Sequence, residues 1–408
     1  VTLPVTQVFI WFDLSATGGD FFTLNHPSKG MLDNTNFKLA GDFQTEVTDD
    51  VEDLNFRRGR SRVLDEIPAG TGSVRFLNPN RDYDPFYASS PYAGNIVPGK
   101  RIKVTSNSTP IFDGLIGDWT FDYDEAQLTF ATAIMEDGLA ALGRKRFSAW
   151  TTTQETPGAR INAVLDRSEV AYTENRDIDD GVETLQADNV SFGSNVLNYL
   201  QLVNRSDAGR FFAARDGTIT FRDRTTILNS MAAAQFSDTG SGIPFASLSF
   251  ARGSEFLYNR VTVDREGGIA QTVSDTDSAK AFGIRALSET GLLLNSDTRS
   301  LAFAEYLLNL YKDPEVRIAS LEIDLAGLSS DLVEAVLDLD SGSLVSITFT
   351  PDAIGDPIQK FALVEGIAHR ITGSSHTVTL SLGAADIRSF LQLDEPEFGK
   401  LDSNLLAF

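Results

Sequence analysis

The sequence predicts a mainly β fold with α+β insertions: two β-rich bodies, with a peripheral helix-hairpin unit between them. Three observations carry this. Residues 1–145 hold short apolar runs at the regular close spacing of a barrel or sandwich. From Arg144 to about Ser230 the texture changes to apolar stripes at helical spacing. From about Phe245 to Leu393 strand patterns return, together with one long helical stretch. A chain of 408 residues is long enough for two or three bodies with cores of their own. The expected division is 1–145, 146–244 and 245–393, with 394–408 as a C-terminal docking tail whose apolar Leu405, Leu406 and Phe408 seek a partner surface.

In order, Val5–Leu14 reads as an opening strand, followed by strands at Asn34–Leu39, Val51–Arg58 and Gly72–Leu77. Arg101–Thr105, Ile111–Ile116, Thr120–Tyr123 and Gln127–Ala133 continue the series, with Asn107-Ser108-Thr109 as a hairpin turn and Glu136–Leu142 as a closing helical turn. Pro157 then opens a helix with Ile161, Val164 and Leu165 on one face. After an acidic loop, Ser194 or Asn195 caps a second helix, whose buried stripe is Val196, Leu197, Leu200 and Val203. Gly209-RFFAARDGTITFRDR reads as a hairpin turning at Asp216-Gly217. Tyr258–Asp264 and Ile269–Val273 predict another hairpin. Asp297 is the expected cap of a helix over Thr298–Tyr311, with Leu301, Ala304, Leu308 and Tyr311 on its inner face. Strands at Arg317–Leu325, Leu344–Phe349, Gln359–Arg370 and Thr377–Leu382, with a helical turn at Asp331–Leu339, complete the second body.

Composition narrows the function. The chain has no cysteine, which excludes disulfide scaffolds, Cys-ligated zinc and thiol nucleophiles. Three histidines are too few for most His-built metal sites or His-dependent triads. A formal net charge of −23 repels phosphate, so sequence-independent nucleic-acid binding is not expected, although an acidic surface suits a passage that DNA must cross without sticking. No apolar run approaches a membrane span, and VTLPVTQVFIWFDLS has no basic segment before its apolar one, so it reads as a strand and not a secretory signal. No P-loop, GxSxG or HExxH pattern occurs. The expectation is a protein without catalysis and without cofactor.

The most informative stretch is Asn55–Val104. Arg57, Arg58, Arg60 and Arg62 crowd six positions, and on a strand Arg58, Arg60 and Arg62 share a face that could grip acidic side chains of a neighbouring subunit. A plain solvated face would account for the same residues. Asn78–Gly99 is a long loop braced by four prolines and by Tyr83, Phe86, Tyr87 and Tyr92, which reads as a contact arm. Its alternating Asn78, Asn80, Asp82 and Asp84 look like a calcium loop, but the Gly and distal Glu of that motif are out of place, and Asx-turns explain them equally. Asp238-Thr239-Gly240 occurs once, whereas aspartic proteases need two such carboxylates. Asp122 and Asp124 flank Tyr123 on one strand face, a pairing common by chance in so acidic a chain. His369 reads as a structural histidine in VEGIAHRIT.

The order RGRSRxLD (Arg58–Asp65), AGTxxVxxxN (Ala69–Asn78), RDxDP (Arg81–Pro85), SPYAGN (Ser90–Asn95) and PGxR (Pro98–Arg101) resembles the tail-tip or baseplate hub proteins of long-tailed bacteriophages, often called minor tail proteins. TxTFRDR at Thr218–Arg224, LYNRVTV at Leu257–Val263, EGIAHRIT at Glu365–Thr372 and DEPEFGKLD at Asp394–Asp402 extend the likeness over nearly the whole chain. The resemblance implies two tail-tube-like β-barrel domains in one polypeptide and assembly as a homotrimer. Six such bodies would then match a sixfold tail tube to a threefold tip and line a DNA exit channel without tight binding. The implied partners are tail tube protein, the distal tail ring and tip fibre proteins. The implied location is the virion tail tip, after synthesis in the host bacterial cytoplasm and without a membrane anchor. Arg57, Arg58, Arg60, Arg62, Asp82, Tyr83, Asp84, Phe86, Tyr92, Leu405 and Phe408 are the candidate assembly-interface residues. Two other readings stay open: a hexameric distal tail ring protein, and a receptor- or glycan-binding module using the aromatic loop.

Overall fold

The computed structural model describes residues 3–12, 44–62, 65–123, 129–228, 231–240, 242–253, 256–314 and 316–385. The expected strand at Asn34–Leu39 and the tail at 394–408, with Leu405 and Phe408, lie outside them. The first body contains β1 (Thr6–Ile10), β2 (Thr45–Glu46), β3 (Val51–Gly59), β4 (Thr71–Leu77), β5 (Arg101–Ser106), β6 (Thr109–Tyr123) and β7 (Thr129–Glu136). The period-two pattern does its work in β3, where Leu54, Phe56 and Arg58 turn inward while Asn55 and Arg57 face out. The two strands expected at Ile111–Ile116 and Thr120–Tyr123 are one. Gly117 sits at a bulge, so that β6 pairs with β5 through its first half and with β7 through its second. Helix α1 (Gly138–Arg144) closes the body under the Asp137 cap.

The middle region holds β8 (Trp150–Thr151), α2 (Pro157–Leu165), β9 (Arg176–Ile178), β10 (Asn189–Val190), α3 (Val196–Asp207), β11 (Arg210–Ala213), β12 (Ile219–Arg222) and α4 (Arg224–Leu228). Asn195 caps α3 by accepting from Asn198 N. The stripes Ile161, Val164, Leu165 and Val196, Leu200, Val203 are buried in one cluster. Gly217, at φ 86°, makes the β11–β12 turn that a side chain would strain.

The second body opens with β13 (Ala234–Ser237) and β14 (Ser247–Arg252), neither legible as a strand in the sequence. A small unit interrupts it: β15 (Arg260–Arg265), β16 (Gln271–Ser274), α5 (Thr276–Phe282), β17 (Ala286–Leu292) and α6 (Asp297–Tyr311). Its core is its own, with Val261, Val263, Leu292, Phe303 and Leu307 at the centre. The cap of α6 is Ser296, not Asp297: Ser296 is extended and accepts from Arg299 N, while Asp297 bonds Arg265 at 2.6 Å. The inner face is also rotated from the expected one, because Phe303 and Leu307 are buried with Ala304 while Leu301 and Leu308 are only half-buried. The body resumes with β18 (Val316–Asp324), α7 (Ser330–Leu337), β19 (Leu344–Phe349), β20 (Ile358–Thr372) and β21 (Ser375–Ala384).

The protein is mainly β, as expected, but the two β bodies are not two closed barrels. They join in a single 13-stranded sheet, since β3 of the first lies antiparallel along the second half of β20 of the second. One hydrophobic core runs beneath both, from Val8 and Phe76 to Val345 and Leu380. The bodies share one topology. The first is ordered β3-β4-β7-β6-β5-β1, the second β14-β18-β21-β20-β19-β13, and equivalent strands come in the same chain order. Like β6, β20 pairs its first half with the preceding strand and its second half with the following one, around a bulge at Glu365. Even the approach repeats. Gly99 N donates to Ile116 O and Ile116 N to Lys100 O; Gly342 N donates to Val364 O and Val364 N to Ser343 O. The bodies differ at the last strand, where β1 pairs β5 antiparallel and β13 pairs β19 parallel.

Candidate assembly surface

Three bodies meet at Glu365. Its carboxylate, displaced inward by the β20 bulge, accepts from Arg60 Nε at 2.7 Å and from Arg210 Nη1 and Nη2 at 2.8 and 2.6 Å. Arg60 follows β3, Arg210 opens β11 and Glu365 lies in β20, so each body contributes one group. Burial alone would raise this carboxyl, yet the guanidiniums of Arg210 and Arg60 hold it down at about 2. Asp340 makes a second three-way joint: it accepts from Arg58 Nη1 at 2.6 Å and, through its other oxygen, from Arg215 N at 2.8 Å. Arg58 and Arg60 thus find their carboxylates inside the chain, across the lobe junction, where the sequence pointed to a neighbouring subunit. Arg57 faces the other way and donates to Ser61, and Arg62 is exposed.

The arm at residues 78–100 is ordered by its own side chains. Successive turns close by Arg81 N to Asn78 O, Asp84 N to Arg81 O, Tyr87 N to Asp84 O and Ser90 N to Tyr87 O. Tyr83 is buried, stacked on Phe76 at 4.6 Å, and donates to Asp50 at 2.7 Å. Tyr92 stacks on Phe12 at 4.2 Å. Asp84 is buried and engaged by Arg81 and Phe86 N, Asn78 accepts from Tyr83 N, and half-buried Asp82 accepts at its backbone oxygen from Ser90. Asp84 thus makes the expected Asx-turn bond, to Phe86 N, while Asn78 closes a wider loop to Tyr83 N. Among the described residues no group of three or more His, Cys, Asp or Glu side chains is placed to hold a metal ion. Of the candidate arm residues Phe86 is the one presented to solvent, at 84% exposure.

Asp238 accepts from Thr350 N at 2.6 Å, as a strand-end bond. His369 and His376 form a buried pair at 3.1 Å, His369 stacked on Phe56. Burial keeps both neutral, pushing His369 well down and His376 down to about 4. A hollow of about 210 Å³ opens beside the Glu365 joint, lined by Arg60, Arg210, Arg224, Phe303, Tyr306 and Tyr311. Its guanidiniums are occupied: Arg224 pairs with Glu183 at 2.6 Å, as Arg60 and Arg210 do with Glu365. No helix among the described residues is long and apolar enough to cross a membrane.

The surface that sequence reasoning missed is the sheet itself. Cross-strand partners share a face, and one row runs Asp118, Ile134, Ser73, Asn55, Arg370, Thr377 and Asp324 through both lobes. The next runs Glu136, Thr71, Arg57, Ala368, Thr379, Glu322 and Ser247. The opposite face is the apolar core. The open face is thus small and hydroxyl-rich, with carboxylates outnumbering arginines, and it is continuous across the junction.

No family profile matches the chain, and no curated protein matches its sequence. Solved structures do. The 43 kDa tail protein of prophage MuSo2 from Shewanella oneidensis aligns with a TM-score of 0.60 at 12% identity, over 94% of this chain and 99% of that one. The tail protein from Neisseria meningitidis MC58 aligns at 0.58 and 13%, over 84% and 94%. A chain of the PdpA–VgrG complex aligns at 0.50 and 11%, over 94% and 65%. The chain has the fold of phage tail proteins.

Proposed function

We propose that the protein is a structural, non-catalytic component of a bacteriophage tail, a hub at the tail tip that assembles as a homotrimer. The observation that carries this reading is the repeated topology: two lobes with one strand order, welded through β3 and β20. Three such chains supply six equivalent lobes, which lets a threefold particle meet a sixfold tube. The polar, acid-weighted face common to both lobes suits the wall of a channel that DNA crosses without adhering, since it releases no counterions from the phosphates. The exposed Phe86 arm and the apolar residues of 394–408 are then surfaces for the tube, the distal ring or tip fibres. The likeness to the two tail proteins supports the fold from which this reading starts.

Mass photometry of the purified chain, alone and with tail-tube protein, tests the proposal. Three copies per particle is the expected result. Six copies would favour a distal tail ring, and cell-wall clearing in a zymogram would contradict the non-catalytic role.

A further inference from the structure

Building on the threefold reading, we infer that the particle closes through a strand seam between copies, in which β14 of one chain adds to the outer half of β6 in the next. The template lies within the chain. β3 pairs with β20 from Gly59↔Gly366 to Asp53↔Thr372, on the flank of β20 that its first half uses for β19. In the matched strand orders β14 stands where β3 stands, and β6 where β20 stands. Each lacks the neighbour its counterpart has: among the described residues β14 pairs with β18 alone, and Asp118–Tyr123 with β7 alone.

Both edges are open. Ser247, Ser249, Phe250 and Arg252 are exposed on one, and Asp118, Thr120, Asp122 and Tyr123 on the other. Unpaired backbone in that state is a template for a further strand. The edges also stand at opposite ends of the run β14-β18-β21-β20-β3-β4-β7-β6. The contact is therefore head-to-tail between copies, the kind that generates a ring.

The register follows from the bulges. Gly117 takes the place of Glu365, so Asp118 corresponds to Gly366 and Asp122 to Arg370. Ser249 corresponds to Asn55 through their partners Ser320 and Ser73, which pair with Ser381 and Ile134 of the equivalent strands β21 and β7. Since Asn55 faces Arg370, Ser249 faces Asp122 of the next copy, and Ala251 then falls opposite Thr120.

The cysteine-free chain allows a direct test. In the double variant Ser249→Cys/Asp122→Cys, mild oxidation is expected to give an SDS-resistant ladder that stops at three chains, while either single variant gives none. A native particle of three copies that stays uncross-linked in this variant overturns the seam and leaves the threefold reading standing. A preparation that never exceeds one copy, with or without tube protein, overturns both.

Discussion

Glu365 is the residue on which the junction turns. Its two guanidinium partners are buried with it, so Glu365→Gln leaves surplus positive charge with no water to solvate it. Removing one member of such a buried cluster costs roughly 3–5 kcal/mol, and chemical denaturation should report a loss of that size. The same carboxyl ties stability to acid. Its folded pKa lies below the unfolded value, so its contribution is complete above about 4.5 and is lost as pH falls toward 2. The histidine pair acts in a higher window. With His376 depressed from 6.5 to about 4, the unfolded chain binds more protons between those values, and stability falls as pH drops through them. The loss is on the order of 3 kcal/mol. Thermal melts from pH 7 to 4 should show that decline, and His376→Asn should make it shallower, leaving the share that belongs to His369.

Among the elements, β20 does the joining and the 78–100 arm does the presenting. β20 must pass close to β3, and Gly59 makes this possible: at φ 81°, a Cβ there would sit 2.3 Å from Glu365 O. Gly59→Ala is therefore expected to destabilise by about 1–3 kcal/mol in a denaturant titration. In the arm, Tyr83→Ala empties a stacked, buried site and should cost about 3–5 kcal/mol, whereas Phe86→Ser at the exposed tip should stay within about 0.5 kcal/mol. What could be read in the sequence follows the same division. Local signals were legible: the alternation in β3, a cap at Ser194 or Asn195, the Asp216-Gly217 turn, the boundaries of β19. The parity of Arg57 and Arg58 was legible too, since Arg58 turns to the core side and Arg57 away, but β3 ends at Gly59, so the single strand face expected of Arg58, Arg60 and Arg62 does not form. Their partners were not legible, because Asp340 and Glu365 lie about 300 residues on and nothing in a strand's pattern names its neighbour. Nor was β14 legible: SLSFAR buries none of its residues fully and carries no clean alternation. A strand that keeps an edge open leaves that mark, and it reads as a loop.

At the scale of the molecule the governing fact is repetition. Two lobes with one strand order share a core and an unbroken polar face, and a middle body is pinned to the second lobe through Arg210 and Arg215 and to the first through Arg215 and Pro110 O. The two barrels were what the family resemblance implied for the lobes; strand spacing reports local regularity, is blind to how a sheet closes, and could not correct it. Their union through β3 and β20 changes what is proposed to assemble: a rigid two-lobe arc in place of a pair of tethered domains. Single-particle electron microscopy of the purified chain bound to a short length of tail tube tests this most directly. The account predicts a ring of six β lobes supplied by three copies, alternating an intrachain β3–β20 seam with an interchain β14–β6 seam. A ring in which each copy places only one of its two lobes against the tube would contradict it.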